Sequence, residues 1–129
     1  VKPEIIFDVD PIGKPRMTQR DKWMKRPAVI RYHAYRDTVR WIAKDWAPPE
    51  RDYWLLFTIA MPSSWSERKR AAHLGQPHQQ TPDKDNLEKA FLDCFGEDCH
   101  IWDGRVSKIW GLRGSIHVYQ CKEFAEIML

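Results

Sequence analysis

Three observations predict an α/β (α+β) fold for this chain, a single domain over residues 1–129 with a mixed β-sheet and helices packed against it. The run Tyr53 to Met61, YWLLFTIAM, is almost continuously apolar and reads as a buried central strand. Tyr35, Thr38, Val39, Ile42 and Trp46 recur at spacings of three and four and mark one face of a helix from Arg31 to Trp46. Shorter alternating segments near both ends of the chain read as further strands. A chain of 129 residues is large enough to bury a core without disulfide or metal staples.

Taken in order, Ile5, Phe7 and Val9 alternate with Ile6, Asp8 and Asp10 in a first strand that Pro11 and Gly13 close. A basic block follows: Lys14, Arg16, Arg20, Lys22, Lys25, Arg26, Arg31 and Arg36 are opposed only by Asp21 and Asp37. Pro15 and Pro27 break any continuous helix there, which leaves a loop suited to lie along phosphates or simply in solvent. The helix to Trp46 is stopped by Pro48 and Pro49, and its aromatic residues, sharing the apolar stripe, belong to the core. After the central strand, Ser64 or Ser66 caps a short helix through Glu67, Lys69, Arg70 and Ala72 that ends at Gly75. Gln76 to Thr81 reads as a polar loop, and His78 within it as an ordinary loop histidine rather than a proton shuttle. A second helix is expected from Asn86 to Phe95. Trp102, Val106, Trp110 and Leu112 then mark one face of a long strand, which Gly111 to Ser115 turns back into Ile116 to Tyr119 as a hairpin. The tail Phe124 to Leu129 is apolar enough to dock on its own domain or on a second subunit.

The chain shows no signal-like start and no apolar run near the ~20 residues of a membrane span, so the expectation is a soluble cytoplasmic protein with no membrane partner. Cys94, Cys99 and Cys121 form no even disulfide framework. Cys94-x4-Cys99 with His117-x3-Cys121 imitates zinc-finger spacing, but Cys94 falls on the expected helix and the second pair on a strand.

Charge is distributed unevenly. The stretch from Thr81 to Asp103 holds seven carboxylates (Asp83, Asp85, Glu88, Asp93, Glu97, Asp98 and Asp103) and two lysines, Lys84 and Lys89. The rest of the chain carries 19 Lys plus Arg against 11 Asp plus Glu, so a formal net charge of +3 conceals a −5 centre in a +8 surround. That pattern suits a polyanion drawn to a metal-bearing acidic site. Asp83 and Asp85 flank Lys84 in an extended approach set by Pro82, and alternation sends both carboxylates to one side, as hard oxygen ligands for Mg²⁺ require. Lys89, four residues after Asp85, falls on the same helix face. The same residues also fit a capping box, Asp85 as N-cap and Glu88 at N3, and the two readings are compatible.

The string Asp83-x-Asp85-Asn86-Leu87-x-Lys89-Ala90-x-x-Asp93, followed by Glu97-Asp98-x-His100-Ile101 and Lys108, resembles the RusA family of Holliday-junction endonucleases. The likeness extends to Gly13-Lys14-Pro15-Arg16 and to Trp65-Ser66-x-x-Lys69-Arg70, and so covers most of the chain. It implies Asp83, Asp85, Lys89 and Asp98 as catalytic residues, with Asp83, Asp85 and Asp98 holding Mg²⁺, for which Mn²⁺ can substitute. It further implies Lys14, Arg16, Lys69 and Arg70 as DNA contacts, a homodimer, and branched DNA as substrate. Two departures bear on the third acid: the linker from Lys89 to Asp98 is short, and His100 stands where Gln is usual. A helix from Asn86 to Phe95 is about 15 Å long and the next three residues return roughly 10 Å, so Asp98 reaches the helix start only if the helix ends early. Asp103 is the reserve for that role.

The expected function is a Mg²⁺-dependent endodeoxyribonuclease that resolves four-way junctions by symmetric nicking. A non-catalytic DNA-binding module, zinc-dependent or metal-free, is the alternative, with the acids serving as caps and surface charge.

Overall fold

The computed structural model describes residues 2–16 and 26–120. One four-stranded mixed sheet carries three helices, an α+β arrangement. The strands are β1 (Ile5–Phe7), β2 (Tyr53–Ala60), β3 (Arg105–Gly111) and β4 (Ser115–Gln120), in the spatial order β1-β4-β2-β3. β2 pairs parallel with β3 and antiparallel with β4, and β4 pairs antiparallel with β1. The helices are α1 (Pro27–Ile42), α2 (Glu67–His73) and α3 (Lys84–Leu92), the last running into a 3₁₀ turn at Asp93–Phe95.

The expected hairpin does not form. β2 lies between β3 and β4, because a strand as apolar as β2 takes the interior of the sheet and needs a neighbour on each edge. Residues 112–114 therefore cross the end of β2, where Met61 N–H donates to Gly111 O at 3.0 Å. Two strand spacings are about 9.5 Å, and three extended residues reach roughly 10 Å, so the short connection suffices. Leu112, expected on the strand's apolar face, is consequently 67% exposed on this crossing.

The helices cover one face of the sheet. Tyr53, Leu55 and Phe57 of β2, Ile116 and Val118 of β4, and Phe7 of β1 are buried beneath Tyr32, Tyr35 and Val39 of α1 and Leu87, Ala90 and Phe91 of α3. Phe7 is the hub of an aromatic cluster, its ring 5.1 Å from Phe91 and 5.9 Å from Trp46 in edge-to-face contacts. α1 begins four residues earlier than the periodicity indicates, since Pro27 fits the first helical turn, where no N–H partner is needed. Thr38 does not join the buried stripe: it is exposed and its hydroxyl donates to Ala34 O. Trp46 lies beyond the helix yet still packs on the core. β1 stops at Phe7, with Val9 reaching the core from the following segment.

Ser66 caps α2, its hydroxyl accepting from Lys69 N–H at 3.2 Å, and the chain leaves through Gly75 at φ +75°. The segment read as a polar loop is instead docked along the outer edge of β3. Gly75 N–H donates to Trp110 O, Trp110 N–H to Gln76 O, and His78 N–H to Lys108 O. That pairing occupies the backbone groups of an edge strand and carries the chain directly to the acidic stretch. Among the described residues no helix is long and apolar enough to cross a membrane.

Candidate active site

The acidic stretch enters α3 through a cis Thr81–Pro82 peptide. Asp83, not Asp85, is the N-cap residue, and its side chain makes no capping hydrogen bond. Asp85 sits in the first turn with Oδ1 accepting from Asn86 N–H, and Glu88 turns away from the helix start to accept from the Tyr53 hydroxyl at 3.0 Å. The reciprocal bonds of a capping box are therefore not made, which leaves the carboxylates of Asp83 and Asp85 free of the structural task that competed for them.

Asp83 and Asp85 line one open cleft together with His78, Lys84 and Lys108. Lys108 projects from β3 toward this cleft and donates to the carbonyls of Gln80 and Pro82, so it fixes the turn that presents Asp83. Asn86 packs against Gly13, where any Cβ would strike its amide, and this close approach brings the Gly13-Lys14-Pro15-Arg16 loop to the start of α3. Lys14 Nζ then reaches Asp93 Oδ2 at 2.6 Å, with Lys89 Nζ at 3.8 Å from the same oxygen. Lys14, Asp93 and Lys89 thus form a cationic group further along α3 than the cleft.

α3 ends at Leu92, earlier than the sequence suggests, and Gly96 at φ +87° turns the chain back. Asp98 nevertheless lines a separate pocket, which it shares with Tyr53, Glu88, Leu92, Trp102 and Asp103. Gly104 borders this pocket and also the crevice formed by Lys84, Asp85 and Glu88, so the two acidic regions adjoin. Glycine is required there because a Cβ would enter the Tyr53 ring. Burial, then the charge of Glu88, pushes the Tyr53 hydroxyl above the usual tyrosine range, with smaller contributions from Asp103 and Asp98 in that order. Tyr53 therefore stays protonated and donates to Glu88.

Asp83 and Asp85 thus share one cleft, Asp98 lines the adjoining pocket, and Lys89 lies beside Asp93. Among the described residues, no three His, Cys, Asp or Glu side chains gather as a ready-made metal cage. Of the proposed DNA contacts, Lys69 lies 4.2 Å over the Trp65 ring and Arg70 donates to Pro62 O at 3.0 Å, while Arg16 is exposed. Lys22 and the rest of the basic block from 17 to 25 lie outside the described residues. The finger-like cysteine spacing fails at Cys94, which is sealed in the core with Sγ donating to Ala90 O, its thiol pushed up to about 11 chiefly by burial. Cys121 lies outside the described residues.

Tyr53 and His78 are the site residues that the sequence did not single out, whereas Lys108 stands in the family string and Glu88 was expected in a capping box. Tyr53 is hidden in an apolar run, and His78 in a polar one. His78 is only 4% exposed, packs against Trp110 with tilted rings 4.3 Å apart, and leaves Nδ1 without a hydrogen-bond partner. Burial, then the nearby Lys108 charge, depresses its pKa below the ordinary histidine value.

Neither the curated proteins nor the solved structures yield a match to this chain. The family model described as endodeoxyribonuclease RusA matches residues 8–119, which include both strands flanking the acidic pockets, all of α3 and the basic loop. The chain belongs to the RusA family of endodeoxyribonucleases.

Proposed function

We propose that the protein is a Mg²⁺-dependent endonuclease that nicks four-way DNA junctions symmetrically as a homodimer. The single observation that carries the catalytic part is the cleft that Asp83 and Asp85 share with two lysines. Mg²⁺ keeps much of its water and is commonly bound by one or two carboxylates plus substrate phosphate, so this oxygen-only donor pair fits it without a protein cage. Bound there by Asp83 and Asp85, the ion would supply an activated water and offset charge on the phosphate.

The protein's own contribution is positional. Lys84 and Lys108 line the cleft and hold a phosphate beside the two carboxylates. Water adds to phosphorus as the bond to the 3′ oxygen breaks, and that oxygen leaves with a proton as a 3′-hydroxyl opposite a 5′-phosphate. Lys89, exposed and 3.8 Å from Asp93, assists at the scissile group, and Lys14, paired with the same carboxylate, continues the cationic track for the neighbouring backbone. The third carboxylate comes from the adjoining pocket. Asp98, which lines that pocket and stands at the position the family pattern assigns, is the proposed ligand, with Asp103 of the same pocket as the reserve. A four-way junction needs two cuts, and the described residues of one chain offer one such cleft, so a two-fold dimer supplies the second.

Substitution tests the reading. Asp85→Asn is expected to lower cleavage at least 100-fold with junction affinity kept or raised, since it removes a ligand and a repulsive charge. Asp98→Asn is expected to match that loss and Asp103→Asn to retain most activity. Cleavage by Asp85→Asn at the wild-type rate would refute the assignment. Full activity in Asp98→Asn with loss in Asp103→Asn would move the third position to Asp103.

A further inference from the structure

Trp102 is placed where burial does not account for it. The alternation of the sequence assigns it to the apolar face of a strand, yet it precedes β3 and is 64% exposed. It lines the pocket of about 450 Å³ that also holds Glu88, Asp98 and Asp103. Its backbone is pinned, since Trp102 N–H donates to Glu50 O at 3.0 Å and so ties it to the segment leading into β2. The Arg51 guanidinium lies over the indole at 4.8 Å from the ring centroid, and Arg51 Nε is itself held by Asp52 Oδ2 at 2.9 Å. A large exposed ring, a stacked cation and a fixed backbone are thus assembled at the rim of the acidic pocket.

We propose that Trp102, with Arg51 stacked on it, is a platform for an unpaired DNA base beside the carboxylates. The inference rests on the nuclease reading above and extends it to how branched DNA is recognised. Aromatic rings take any base, because every base offers a π-face, and guanidinium groups add cation–π attraction. Glu88, Asp98 and Asp103 make the pocket anionic, and without a bound cation they repel a phosphate backbone, so a neutral base is the part of a nucleotide it accepts most readily. Arg51 supplies the positive charge for the phosphate attached to that base. In an intact linear duplex the bases are stacked on one another, whereas a branch point interrupts that stack and lowers the cost of opening a pair there, so the platform rewards branched over linear DNA. Trp102 acts here as a positioning residue, since it touches the base and not the bond being cut.

The test is equilibrium binding in EDTA, read by the fluorescence of 2-aminopurine placed at the branch of a four-way junction, in a linear duplex and in a single strand. Wild type is expected to quench the branch and single-strand probes by stacking and to leave the duplex probe unchanged. Trp102→Ala is expected to lose that quenching and to bind the junction about tenfold more weakly, with duplex affinity unchanged. Trp102→Phe keeps a ring and is expected to restore most of both. If Trp102→Ala quenches and binds the junction as wild type does, the platform is wrong. It is equally wrong if the variant fails because sedimentation finds a dimer dissociated, since the ring then faces a second copy of the chain. Should wild type show no junction preference while Trp102→Ala still loses single-strand quenching, the platform stands and the junction reading falls.

Discussion

At the scale of single residues, the site depends on which polar groups are committed to structure and which are left over. Glu88 is committed, since Tyr53 donates to it at 3.0 Å, and this removes it from the capping box that its position in the sequence suggests. Asp83 makes no capping bond, Asp85 accepts only the local one from Asn86 N–H, and both line a cleft. His78 is a third case: it is buried, its Nδ1 lacks a partner, and Lys108 lies close. Its pKa in the folded chain is below the unfolded value, so between the two the unfolded chain holds the extra proton. The stability concerned is present above about pH 6.5 and is lost as the pH falls below it. Thermal unfolding at pH 7.5 and 5.5 is expected to show a smaller drop in Tm for His78→Gln than for wild type, and an equal drop would contradict the assignment. Much of this chemistry was legible in the sequence, because Asp83-x-Asp85-Asn86 carries its spacing on its face. Glu88 with Tyr53 was not, because their bond joins residues 35 apart and neither is marked by its neighbours.

At the scale of elements, periodicity located every strand and helix and failed at their ends and pairings. Pro27, the N-cap at Asp83 and the 3₁₀ turn after Leu92 all moved boundaries by a few residues, since helix ends are set by local hydrogen bonds that an apolar stripe does not encode. The missing hairpin has a different cause. Alternation assigns faces to a strand but not neighbours, and the apolar weight of β2 drew β3 and β4 to opposite edges. α3 is the element on which both fold and site depend, with Leu87, Ala90 and Phe91 buried in the core while Asp85 and Glu88 face the pockets. Phe91 has contacts with the rings of Phe7 at 5.1 Å, Phe95 at 5.2 Å and Phe57 at 6.4 Å. Phe91→Ala is therefore expected to cost about 3–5 kcal/mol. Urea unfolding checks it, and a loss under 1 kcal/mol would show that α3 is not anchored through this ring.

At the scale of the whole molecule, the −5 acidic stretch within a +8 remainder is what a DNA nuclease needs. On the proposed reading the basic surround draws in the polyanion, and the acidic centre would take a cation to receive the phosphate. The sheet explains how so small a chain achieves this. Parallel pairing puts the starts of β2 and β3 side by side, so Tyr53 and Gly104 meet under α3 and the two acidic pockets adjoin. The most direct measurement of the central claim is cleavage of an end-labelled four-way junction beside a linear duplex of the same sequence, in Mg²⁺ and in EDTA. The account predicts paired symmetric nicks in the junction alone, with ligatable 5′-phosphate and 3′-hydroxyl ends, all lost in EDTA. Junction binding with no cleavage in either Mg²⁺ or Mn²⁺ would contradict it and leave a DNA-binding module in its place.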